Sequence, residues 1–201
     1  MTTTAPPPCS VLILAGGRGA RMGGHDKGLL EWQGYPLVRW VHDAVRALTD
    51  DLIISCNRHL PRYAELADQI VHDEVPDYPG PLAGLCAGLQ AMRHEVLVLL
   101  PCDAPRIDHA LVQALRQRAQ QHPGLPVMVR QDGDWNPMFS VIPARLRPAI
   151  VQAWQAGERS PRRLLLALGA VALDCAADDP RLANFNTPAQ LQTAAPRRDP
   201  E

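Results

Sequence analysis

Residues 12–27, Leu-Ile-Leu-Ala-Gly-Gly-Arg-Gly-Ala-Arg-Met-Gly-Gly-His-Asp-Lys, constrain the fold more than any other stretch. The apolar residues 11–14 predict a short buried strand. The chain then breaks into Gly16, Gly17, Gly19, Gly23 and Gly24. A run of this kind lets backbone N–H groups turn toward an anion with no Cβ in the way. Arg18, Arg21 and Lys27 add three cations. Helical spacing resumes at about Pro36. Strand, glycine loop, cations and helix together predict a polyphosphate site.

Two familiar phosphate loops do not fit. A Walker loop needs Gly-Lys-Ser/Thr at its end, but Lys27 follows Asp26 and precedes Gly28. A dinucleotide fingerprint needs a third glycine, and that position is Met22. An acidic residue at the end of the second strand is missing too, which weakens redox dinucleotide binding. The loop is longer than either, with its lysine at the far end.

The rest of the chain alternates short apolar strands with helical spacing, which predicts an α/β fold with a parallel sheet. Helix is expected from residue 36, a second strand over 51–56, a short helix over 61–67 and a third strand over 69–72. Leu82, Leu85, Cys86, Leu89 and Met92 form one helix face. Residues 96–100 are continuously apolar, as in a central parallel strand covered on both faces. They deliver Asp103 to the carboxyl end, where α/β sheets bind ligands. The next helix has its own cap in Asp108, which leaves Asp103 for a hard cation such as Mg²⁺. Residues 127–130 and 138–142 are two further strands joined by a turn-rich connection, giving a mixed sheet edge. A helix runs from 146 to 157, a short buried one over 164–168, and a last edge strand over 171–173. The expected architecture is one Rossmann-like three-layer domain over residues 10–194. Its central sheet is mostly parallel, with helices on both faces and an antiparallel edge. Residues 1–9 and 195–201 are expected to be disordered tails.

Leu-Ala-Gly-Gly-Arg-x-x-Arg-Met-Gly-Gly-x-Asp-Lys-Gly, from Leu14 to Gly28, resembles the signature of the molybdenum cofactor guanylyltransferases, within a larger group of Rossmann-like nucleotidyltransferases. Tyr78-Pro-Gly-Pro-Leu-Ala-Gly84, Gly157-Glu-Arg159 and Asn184-Phe-Asn-Thr-Pro188 are similar to further elements of that family. The resemblance implies transfer of GMP from GTP to molybdopterin carrying molybdenum, with release of pyrophosphate and with Mg²⁺ as cofactor. It implies that Leu14, Ala15, Gly16, Gly17, Lys27, Ser55, Asp73, Gly80 and Asp103 contact the nucleotide. Arg21, Lys27 and Asp103 are the implied catalytic groups, with Mg²⁺ on Asp103. Arg159, Asn184 and Asn186 are the implied molybdopterin contacts. Ser55 departs from the family's usual asparagine. Period-two alternation puts Asn57 on the same face, where it is expected to compensate. The rival readings are cytidylyl transfer to molybdopterin, nucleotidyl transfer to a sugar phosphate, and a GTP-binding module that delivers cofactor without catalysis.

Composition bounds the partners. The net charge of −1 offers no global field for nucleic acid. Five widely spaced cysteines with no Cys-x-x-Cys predict reduced thiols in the cytoplasm. No run approaches the roughly 18 apolar residues of a membrane span. A monomer is expected, with molybdoenzyme maturation proteins or apoenzymes as partners.

Overall fold

In a computed structural model, which describes residues 6–17, 25–72 and 80–192, the strand before the glycine loop, β1 (Ser10–Leu14), lies inside a seven-stranded sheet. On one side it pairs in parallel with β4 (Leu52–Ser55), which pairs in parallel with β5 (Gln69–Val71). On the other side it pairs in parallel with β6 (Val96–Pro101). Next come β8 (Asp134–Pro143), β7 (Val127–Gln131) and β9 (Val171–Cys175), in the order β5-β4-β1-β6-β8-β7-β9. Only β8 runs against the rest: it is antiparallel to both β6 and β7, while β7 and β9 are parallel. The mixed side of the sheet is thus the side expected, and β9 is its edge strand as its position predicts; the antiparallel member, β8, is an inner strand.

The two faces are covered separately. Val11, Ile13, Leu52, Ile54, Val98 and Leu100 face α1 (Leu37–Val45) and α4 (His109–Gln121). Leu12, Ile53, Leu97 and Leu99 face α3 (Pro81–Ala91), α5 (Arg147–Gln155) and α6 (Pro161–Ala167). Packing rather than propensity holds these helices. The nine residues of α1 fall short of an independently stable helix. It buries Leu37, Val38, Trp40, Val41 and Val45, each worth about 1.5–3 kcal/mol. Asp108 caps α4 as its position predicts, accepting from Leu111 N at 2.7 Å. Thr187 caps α7 (Pro188–Leu191) in a capping box with Gln190.

Two expectations are corrected, and one element was not foreseen. The helix expected over 61–67 is α2 (Leu60–Ala64). Residues 6–9 are not a loose tail: Arg116 donates to Pro6 O (3.2 Å) and Pro7 O (2.7 Å), and Cys9 is fully buried. A hairpin not read from the sequence, β2 (Glu31–Trp32) with β3 (Tyr35–Pro36), precedes α1. Its two turn residues, Gln33 and Gly34, both have positive φ, 53° and 81°. That is the turn whose twist suits a two-residue hairpin, but glutamine at its first position is a weak sequence signal.

At the opposite end of the sheet from the glycine loop, Asp51 is fully buried. Burial alone would raise its carboxyl, but bonds from Ser10, the Arg93 backbone, Gln69 and the Arg93 guanidinium outweigh it and hold it below its ordinary 3.8. A carboxyl lowered in the folded state stabilises fully above its unfolded value and loses that contribution as pH falls through the lower folded one. Melting temperature is therefore expected to fall more steeply below about pH 4 in the parent than in Asp51→Asn. At pH 7 the variant should be about 1–3 kcal/mol less stable. Equal acid slopes in melting curves would remove Asp51 as the acid-sensitive group.

Candidate active site

The strand order reverses at β1: β4 and β5 step outward on one side and β6 begins the other. Such a switch point leaves a crevice at the carboxyl ends of the strands. Here the crevice is a cleft of about 440 Å³. The end of β1 supplies Leu14 to its wall, and the glycine turn that follows supplies Ala15, Gly16 and Gly17. Ser55 ends β4, Gly80 and Pro81 open α3, and Cys102 and Asp103 follow β6.

The loop is anchored where it leaves the sheet. Ala15 N donates to Ser55 O (2.8 Å), and Leu14 O accepts from Cys102 N (3.1 Å). Gly80 holds φ +103° at the start of α3, a conformation that side-chain-bearing residues avoid. One turn later, a Cβ on Gly84 would stand 2.7 Å from Ser55 Oγ and 2.8 Å from Leu14 Cδ2. The helix therefore lies directly on the strand ends that form the cleft wall.

Three side chains from distant parts of the chain converge at the mouth. The Lys27 ammonium donates to the Asp103 carboxylate and to Asn186 Oδ1. Asp103 is brought there by β6 and Lys27 by a 3-10 turn, Lys27–Leu29. Asn186 arrives because Phe185 N donates to Asp103 O (2.8 Å) while the Phe185 ring packs edge-on against Trp32, with 5.0 Å between centroids. The Arg106 guanidinium lies over both rings, at 5.8 Å and 5.4 Å. The unforeseen hairpin thus supplies the aromatic anchor for the asparagine segment.

Lys27, Asp103 and Asn186 come together, and Leu14, Ala15, Gly16, Gly17, Ser55 and Gly80 line the same cleft. Arg21 and Asp73 lie outside the described residues. Arg159 does not line the cleft: its guanidinium stacks 3.8 Å from the Trp154 ring centre and donates to Trp154 O and Glu158 O. The end of the preceding helix, α5, holds it in this arrangement, outside the residues that line the cleft. Asn184 is half-buried, and its Oδ1 has no hydrogen-bond partner among the described residues. Asn57 lies beyond the end of β4, so strand alternation does not carry to it. Its amide instead lies beside Gly16, 3.5 Å from where a Cβ would be. Met138, not expected at the site, also lines it. Pairing between β7 and β8 jumps from Met128–Ser140 to Val129–Asn136, which bulges residues 137–139 out of register. Pro137, which can give no ladder hydrogen bond, sits in that bulge.

The oxygens present suit a hard divalent cation. A carboxylate and an amide oxygen already meet at one ammonium. Mg²⁺ asks for one or two such ligands, with phosphate and water for the rest. Among the described residues there is no cluster of three or more His, Cys, Asp or Glu that would form an all-protein cage. None of the described helices is long and apolar enough to cross a membrane, and all five cysteines are free thiols.

A family model for the MobA-like NTP transferase domain matches residues 11–171, a span that includes β1, the glycine loop and Asp103. The chain belongs to this family. A protein of Pseudomonas fluorescens strain SBW25 named molybdenum cofactor guanylyltransferase is 60% identical over 190 residues, covering 94% of this chain and 95% of that one. A protein of the same name from Pseudomonas paraeruginosa is 59% identical over 191 residues, covering 95% and 96%. Among solved structures, molybdopterin-guanine dinucleotide biosynthesis protein A from Archaeoglobus fulgidus superposes with a TM-score of 0.73 at 20% identity, over 91% of this chain and 95% of that one. At that identity the superposition speaks for the fold.

Proposed function

We propose that this protein transfers GMP from GTP to the terminal phosphate of molybdenum-carrying molybdopterin and releases pyrophosphate. The observation that carries the reading is the meeting of Lys27, Asp103 and Asn186 beside the glycine turn. Relatives near 60% identity over almost the whole chain carry the name of that activity.

The chemistry needs little covalent help. A phosphate monoester has a second pKa of about 6, so the nucleophile is already ionised near neutrality. No general base is required. The obstacle is charge, because an anion must approach a triphosphate. Positioning and electrostatic stabilisation at the α-phosphorus then supply the catalysis. In this reading the Gly16 and Gly17 amides hold the β- and γ-phosphates. Lys27, with Arg21, neutralises the leaving pyrophosphate. Asp103, helped by Asn186, holds Mg²⁺, which when bound screens the charge between the two reacting phosphates. Leu14, Ala15, Ser55 and Gly80 bound the base, and Asp73 contacts the nucleoside. Asn184 and Asn186 face the acceptor.

Base choice is tested by a thermal-shift series with GTP, CTP, UTP and ATP plus Mg²⁺. Saturation at about 100 times Kd adds roughly 2.7 kcal/mol, which is about 5–10 °C for a chain of this size. GTP is expected to give that shift and the others little. A larger shift with CTP would move the assignment to cytidylyl transfer. Pyrophosphate release with the pterin acceptor separates catalysis from a delivery role: GTP binding with no release would leave only the latter.

A further inference from the structure

Below the charged mouth of the cleft lies a second polar contact, hidden from solvent. Asp26, the residue before Lys27, is only 8% exposed, and its Oδ1 accepts a 2.5 Å hydrogen bond from the Tyr63 hydroxyl. Tyr63 is fully buried on α2. Asp26 stands at the N-cap position of the 3-10 turn that carries Lys27, where an aspartate ordinarily caps the turn. It makes no such bond, and its side chain reaches to Tyr63 instead.

The same hydroxyl abuts the chain on the other side of Lys27. A Cβ on Gly28 would lie 2.6 Å from Tyr63 Oη and 3.3 Å from the sulfur of Cys102, the neighbour of Asp103. The segments presenting the two opposite charges of the site are therefore packed together underneath, around one phenol. Burial, reinforced by the neighbouring Cys102 and Asp26, pushes the phenol well above its ordinary value, so it remains a donor at any working pH. Burial and the Asp26 charge likewise push the Cys56 thiol up to about 12. Tyr63 and Cys56 thus both stay protonated beside Asp26, and a buried carboxylate that loses a donor is costly.

We infer that Tyr63 is a positioning residue for phosphate binding: its hydroxyl, by holding Asp26, fixes where the Lys27 ammonium stands relative to Asp103. This rests on Lys27 being a triphosphate contact. Lysine has a long flexible stem, so its useful geometry depends on how firmly its backbone is held, and a displacement of about 1 Å at a site can cost up to 10²-fold.

The test is GTP affinity with Mg²⁺ in four proteins: the parent, Tyr63→Phe, Lys27→Ala and the double variant, each first checked by melting curve. Tyr63→Phe keeps the ring and removes only the hydroxyl. It is expected to weaken GTP about tenfold when Lys27 is present, and by no more than about twofold in the Lys27→Ala background. Gly28→Ala crowds the hydroxyl by a separate route and is expected to show the same dependence on background. It carries the test if Tyr63→Phe does not fold. An equal loss in both backgrounds, or no loss in either, overturns the inference while leaving the triphosphate site intact. If Lys27→Ala alone binds GTP as the parent does, the triphosphate reading fails and this inference falls with it.

Discussion

Replacing Lys27 by alanine is expected to lower guanylyl transfer by about 10²–10³-fold, the usual loss when one preorganised charge-stabilising donor is removed. The size follows from the arrangement of charge at the cleft mouth. Lys27 is the cation set against Asp103, and the two side chains are 23% and 10% exposed. Without the ammonium, an incoming triphosphate meets the Asp103 carboxylate directly. GTP binding and turnover should therefore both weaken. Stability should fall as well, by about 1–3 kcal/mol or roughly 2–12 °C, because Asp103 is mostly buried and loses its donor, so binding and turnover are compared below the melting range of the variant. Arginine should not restore the activity, since its planar fork does not replace a compact ammonium between two oxygens. The measurement is pyrophosphate release with GTP, Mg²⁺ and the pterin acceptor, alongside GTP titration. Parent-like turnover in Lys27→Ala would remove the lysine from the reaction.

Asp103→Ala is expected to lose a similar factor, about 10²–10³ in kcat, with a different binding signature. The substitution removes the carboxylate but keeps the backbone oxygen that receives Phe185 N, so the Asn184–Asn186 segment remains docked. Lys27 also remains, now with one anion fewer beside it. GTP binding without Mg²⁺ should hold or strengthen, while the gain in affinity on adding Mg²⁺ disappears. Loss of turnover with retained Mg²⁺-free binding separates Asp103 from Lys27, whose variant weakens both. Turnover comparable to the parent with Mg²⁺ present would end the assignment of the metal to Asp103.

The features legible in the sequence are those set by local chemistry. Continuous apolar runs mark β1, β4 and β6 because a parallel strand buried on both faces has no polar side. Asp108 and Thr187 announce the caps of α4 and α7, since each needs only its own side chain and the next three residues. Less legible were features that need two distant segments. Nothing local marks Tyr63, and only its meeting with Asp26, 37 residues away in sequence, gives its hydroxyl a task. Arg159 reads as an anion contact, and only the fold shows that its guanidinium rests on Trp154 at the end of α5. Pro137 and Met138 read as turn and strand, and only the bulge against β7 turns Met138 into the cleft.

By itself the sequence determined that a glycine loop with a terminal lysine follows the first strand, and that an aspartate ends a central one. Those facts depend on residue type and on spacing along one segment. Which of these groups meet, and what holds them there, was decided by the tertiary structure. Lys27, Asp103 and Asn186 are separated by 76 and 159 residues along the pairs that join them. Their convergence follows from the strand order about β1, from the Phe185 ring on Trp32 and from the floor beneath Lys27. Burial of apolar surface between remote elements fixes these, and no local pattern encodes it.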